Sequence, residues 1–86
     1  MGINPVNLRR ALHRIPELGF EEFDTQQMVR QALETFGSVS TIAQTGLSLE
    51  LGPQDAERTL LLRADMDALP IHEEAPVPFA SERPGM

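Results

Sequence analysis

Thr59-Leu60-Leu61-Leu62 is a continuous apolar run that ends in Arg63-Ala64-Asp65-Met66-Asp67. A strand of this kind has no wet face and is expected to be covered on both sides. It needs helices above and below and strand partners along its edges. That demand is severe for 86 residues, because a chain this short buries only about 60% of its unfolded surface.

The rest of the chain offers two helices and two further strands. Asn4-Pro5 reads as a helix start, since Asn caps free backbone N–H groups and Pro suits the first helical position. Leu8, Ala11, Leu12 and Ile15 follow at helical spacing and form one apolar stripe, with Arg9, Arg10 and Arg14 mostly off it. Pro16 ends the helix by pushing residue 15 out of the α region. A second helix is predicted from about Glu21 to Phe36. Glu21, Glu22 and Asp24 suit the dipole of its first turn, and Met28, Val29, Ala32, Leu33 and Phe36 form its apolar face. Gly37 is expected to end it in a left-handed conformation.

The periodicity then changes to that of strands. Val39 to Ala43 is rich in β-branched residues, and Leu47, Leu49 and Leu51 alternate with Ser48 and Glu50. Gln44-Thr45-Gly46 between them is expected to turn a hairpin. Gly52 to Asp55 is a turn cluster. After Asp67 four prolines, at 70, 76, 78 and 84, favour extended or looped chain. The order is helix, helix, strand, strand, strand, loop. The fold class is α/β: two helices followed by a small mixed sheet that is incomplete, with residues 1–86 in one unit and no second domain.

Composition narrows the function. The formal net charge is −6, which argues against nucleic-acid binding, because that requires a basic patch. Without Cys there is neither a disulfide nor a thiolate metal site in these residues. No leader signature, lipidation pattern or membrane-length apolar run is visible, so the cytoplasm is the expected compartment and no membrane partner is expected.

The sharpest chemical signal is Asp65-Met66-Asp67. At the carboxyl end of a sheet strand, where ligands collect, alternation would point both carboxylates to one face. Such a pair can bind a hard cation or orient a His that binds a softer one. The bland alternative, that the pair caps a turn or meets Arg63, has even weight. His13 in the last turn of the first helix is better explained by the helix dipole than by metal binding. His72-Glu73-Glu74 lacks a metal-ligand spacing and reads as a solvated loop. Glu21-Glu22 reads as charge at a helix start.

Taken together, Leu8 to Glu22 and Leu61 to Ile71 resemble the opening helix-and-turn and the strand-and-loop motif of the hippurate-hydrolase subfamily of peptidase family M20. Val77-Pro78-Phe79-Ala80-Ser81 and Pro84-Gly85-Met86 resemble the segment that follows. The likeness spans nearly the whole chain. It implies the N-terminal part of a zinc-peptidase-like catalytic domain. It also implies a hydrolase acting on C–N (amide) bonds of N-acyl amino acids through metal-activated water. One or two divalent ions (Zn, Mn, Co or Ni) serve the full-length family, and a smaller inserted domain often forms a homodimer. The family's metal ligands follow the Pro-Gly-Met motif, so no metal ligand is expected here and the segment is expected to be inactive alone. Asp67 matches the residue that orients a metal-binding His, and Asp65 stands where other members of the clan carry a ligand His.

Two other readings compete. One is a complete, non-enzymatic α/β binding or regulatory module, against which stands the uncovered apolar run. The other takes Asp65-Met66-Asp67 as the nucleophile motif of a haloacid-dehalogenase-like phosphatase. That chemistry expects a small or hydroxyl residue where Leu69 stands, and it expects the motif near the start of the fold.

Overall fold

The computed structural model describes residues 3–86; the reading of Met1-Gly2 for a leader or lipid anchor lies outside them. Helix α1 spans Pro5–Arg14 and helix α2 spans Phe23–Leu33. Strands β1 (Val39–Ile42) and β2 (Gly46–Leu49) form an antiparallel hairpin in the register Val39↔Leu49 to Ile42↔Gly46. Two helices followed by a small sheet is the expected order, although the sheet is antiparallel rather than mixed.

Helix α1 begins as its sequence requires. Asn4 Oδ1 accepts from the N–H groups of Val6 (3.1 Å) and Asn7 (3.2 Å), satisfying two donors that have no partner inside the helix. Leu8, Ala11, Leu12 and Ile15 are all half-buried, whereas Arg9, Arg10 and Arg14 are exposed. Helix α2 starts two residues later and stops three residues earlier than its apolar pattern suggests. Gly37 does not adopt a left-handed backbone. It is close to the hairpin instead: a Cβ there would lie 3.2 Å from Leu49 Cδ1, so small size is what this position supplies.

Polar side chains of α2 hold the hairpin. Arg30 donates to the carbonyl of Val39 (3.0 Å) and to the Thr41 hydroxyl, and Gln26 donates to the carbonyls of Gln44 (3.2 Å) and Gly46 (3.4 Å). Thr45, buried at the turn, donates to Glu22 Oε1 at 3.0 Å. The turn itself is Ala43-Gln44-Thr45, one residue earlier than expected, with Ala43 and Gln44 at positive φ. Neither residue is Gly or Asn, so this backbone is strained and relies on the α2 contacts to persist. Gly46 opens β2 because a Cβ there would meet the Ile42 carbonyl oxygen at 2.8 Å.

The largest departure concerns Thr59 to Leu62. These residues form no strand, and Leu60, Leu61 and Leu62 are 85%, 84% and 86% exposed. A strand satisfies its backbone only through partners on its edges, and among the described residues none lies beside this one. No hydrophobic residue among those described is buried. The radius of gyration is 14.9 Å, against about 12 Å for a compact domain of this length. No described helix is long and apolar enough to cross a membrane.

Candidate functional site

The segment after Asp67 returns to the junction between the two helices. Ala68 N–H donates to the Glu17 carbonyl at 2.7 Å, and Glu82 N–H donates to the Arg14 carbonyl at 2.9 Å. A cleft of about 630 Å³ lies between these segments and the helices, and Leu12, His13, Val29, Asp65, Asp67 and Glu73 contribute to its lining. Both carboxylates singled out in the sequence are therefore at one cleft, though not as a pair at a strand tip. With no strand at Thr59 to Leu62, alternation does not align them. Asp65 instead meets Arg63 Nη2 at 2.8 Å, with both side chains largely exposed, which is the bland alternative weighed above. Asp67 is exposed and carries no such ion pair; its Oδ2 lies 3.8 Å from where a Cβ on Gly19 would stand.

Glu17, a connector residue by sequence, is the buried carboxylate of the molecule (7% exposed). Its oxygens accept from the backbone N–H groups of Thr25 (2.6 Å) and Asp24 (3.2 Å). It thereby caps α2 from five residues upstream of the local cap position, Glu22, whose side chain makes no such bond. Arg83 completes the cluster. Its guanidinium lies 3.4 Å from Glu17, and it donates to Asp24 Oδ2 at 2.8 Å and to the Pro16 carbonyl at 3.3 Å.

Burial on its own would raise the Glu17 pKa. The hydrogen bonds from Thr25 and Asp24, with that of Arg83, outweigh it and hold the carboxyl below its ordinary value. The Arg83 guanidinium is pushed up, first by its hydrogen bond to Asp24 and, against some desolvation, by Glu17. The consequence for pH follows from the sign. A carboxyl whose pKa is lower when folded stabilises fully above its unfolded pKa, and that contribution fades as the pH falls through the folded one. The first turn of α2 is accordingly expected to loosen only in acid, below the ordinary Glu range. Amide NMR signals of Asp24 and Thr25, followed from neutral to acid pH, should move together in that window and stay still above it.

A second cluster joins α1 to the loop after Asp67. His13 Nε2 donates to Glu73 Oε2 at 2.5 Å, and the His13 ring meets Phe79 edge-on at a centroid distance of 5.7 Å. The guanidinium groups of Arg9 and Arg10 lie 4.9 and 4.8 Å from the Phe79 ring centre. Glu73 Oε1 is buried without a partner. The pattern around His72-Glu73-Glu74 gave no hint of this pairing, because the partners are 60 residues apart. The i, i+3 and i, i+4 spacing of Arg9, Arg10 and His13 was the only available signal, as it puts them on neighbouring helical positions.

The described residues do not compose a metal site by themselves. No three His, Asp or Glu side chains among them converge on a point that one ion could occupy. Asp65 is engaged by Arg63 and His13 by Glu73. What the arrangement offers is an exposed carboxylate, Asp67, on a backbone anchored at its neighbour.

The chain is 45% identical over 84 residues to an N-acetyldiaminopimelate deacetylase of Halalkalibacterium halodurans, covering 93% of this chain and 22% of that protein. It is 45% identical over 80 residues to an N-acyl-L-amino acid amidohydrolase of Geobacillus stearothermophilus, covering 91% and 22%. A crystal structure of a dinuclear metal-binding peptidase of Bacillus subtilis from the M20 family superposes with a TM-score of 0.83 at 37% identity, covering 93% of this chain and 23% of that one. No family model matches the chain. Its relatives are thus hydrolases that act on amide bonds. Nearly the whole chain is similar to a segment of amide hydrolases and of an M20-family peptidase. It spans only about 22% of the length of the curated relatives it matches.

Proposed function

We propose that these residues are one part of the catalytic domain of a cytoplasmic metal-dependent amidohydrolase that cleaves the amide bond of N-acyl amino acids. In this reading the full-length protein uses a divalent ion (Zn, Mn, Co or Ni) and forms a homodimer through an inserted domain outside these residues. Asp67 orients a metal-binding His supplied by another part of the protein, and Asp65 has at most a supporting role. The segment alone does not turn over substrate. The observation that carries the reading is the position of Asp67: a carboxylate lining the cleft, not tied up in an ion pair, beside a backbone anchor, in a chain whose relatives are amide hydrolases.

The full-length protein is expected to release free amino acid from N-acetylated amino acids, to lose that activity on chelation and to regain it with added Mn or Zn. Full activity after exhaustive chelation, with no metal found by mass spectrometry, would refute the reading. The alternative of a self-contained binding module has no support in the packing, because no hydrophobic residue among those described is buried.

A further inference from the structure

Glu17 is the point at which three distant stretches of chain meet. Its carboxylate is fixed to the start of α2 by the N–H groups of Asp24 and Thr25. The same carboxylate faces Arg83, which carries the stretch from Ser81 to Met86. Its carbonyl accepts from Ala68, the residue after Asp67, at 2.7 Å. Glu17 is therefore held through its side chain and its backbone at once. Asp67 is exposed, and no hydrophobic residue among those described is buried around it. Among the described residues, directional polar contacts at Glu17 tie down the backbone beside Asp67, and the charge-assisted bonds to its buried carboxylate are the strongest of them.

We propose that Glu17 is a positioning residue: by clamping its own side chain between α2 and Arg83, it holds the Asp67 and Ser81–Met86 stretches in fixed relation at the cleft. This rests on reading Asp67 as part of the hydrolytic centre, but the backbone part of the test does not. Asp67 contributes only if its carboxylate is held in place, and Glu17 supplies that constraint without facing the reacting atoms.

The test is hydrogen–deuterium exchange of the metal-loaded full-length protein, read on peptides covering Met66–Leu69 and Ser81–Met86, with steady-state kinetics on an N-acetyl amino acid. Glu17→Ala is expected to speed exchange in both peptides at least about tenfold, as for the loss of one hydrogen bond to a charged group. It is also expected to lower kcat with little change in KM. Glu17→Gln keeps an acceptor for Asp24 and Thr25 but loses the charge facing Arg83. It should loosen Ser81–Met86 and largely spare Met66–Leu69, and it keeps the question open to measurement if the Ala variant fails to fold. Glu34→Ala, at the exposed far end of α2, should change neither readout. Unaltered exchange at Met66–Leu69 in Glu17→Ala would overturn the proposal. So would unaltered kcat in that variant when Asp67→Ala is impaired. If Asp67→Ala itself is fully active, the functional reading fails, and the exchange data still decide whether Glu17 holds the two stretches.

Discussion

Asp67→Ala in the full-length protein is expected to lower kcat by about 10- to 100-fold, the usual cost of removing a group that orients a metal ligand. KM should change little and the circular dichroism spectrum not at all. The structure gives the reason for that split. Asp67 carries no ion pair and is exposed, so its side chain adds little to stability. Its backbone neighbour is held by the Glu17 carbonyl, so shortening the side chain leaves the loop in place. An equal fall in kcat and kcat/KM is the mark of a group that acts in the transition state and not in substrate binding. Asp65→Ala is the comparison. Asp65 already meets Arg63 on an exposed surface, and exposed pairs of this kind contribute at most about 1 kcal/mol. A variant at Asp65 should therefore lose much less activity than one at Asp67. Equal losses at the two positions would mean that the carboxylates act as a pair, and unchanged kinetics at Asp67 would remove it from the site.

Much of the local structure in this chain was legible from local signals. The cap at Asn4, the stripe from Leu8 to Ile15, the stop at Pro16, the β-branched first strand and the alternating second strand of the hairpin each follow from residues within a short window. The likeness carried by Leu8 to Glu22 and Leu61 to Ile71 pointed to the same hydrolases that the chain matches, since long motifs in a fixed order are specific. Features that depend on distant partners were not legible. Glu17 looks like connector, yet it caps α2, because a carboxylate can reach a helix start from outside the local cap position. His13 and Glu73 belong to segments that look unrelated. Gly37 matches a helix-stop pattern and is small for another reason, the approach of Leu49. Thr59 to Leu62 shows the limit most plainly: its composition is that of a covered strand, but composition cannot supply the neighbours that make a strand, and the described residues do not contain them.

That run also leads to the largest physical effect expected of the isolated 86-residue chain: a shallow urea transition and concentration-dependent self-association. Burial of one Leu side chain contributes about 1.5–3 kcal/mol. Three uncovered Leu residues thus forgo an amount comparable with the net stability of a whole domain, about 5–15 kcal/mol. The contacts that remain, such as the Glu17 cluster and the α2 side chains on the hairpin, are directional and partly solvated. They can order neighbouring segments without making the whole chain unfold as one unit. A compact domain gives an m-value of at least about 1 kcal/mol/M in urea; the isolated chain should fall clearly below that. Light scattering should rise with concentration, because a flat apolar segment with free N–H and C=O groups pairs readily with its own copies. Replacing Leu61 by Lys places a charge in the middle of the segment and should suppress the association while leaving the helical signal of α1 and α2 unchanged. A sharp, monomeric melt with a full-sized m-value would show that these layers close on themselves after all, and would count against the proposed place of these residues in a larger catalytic domain.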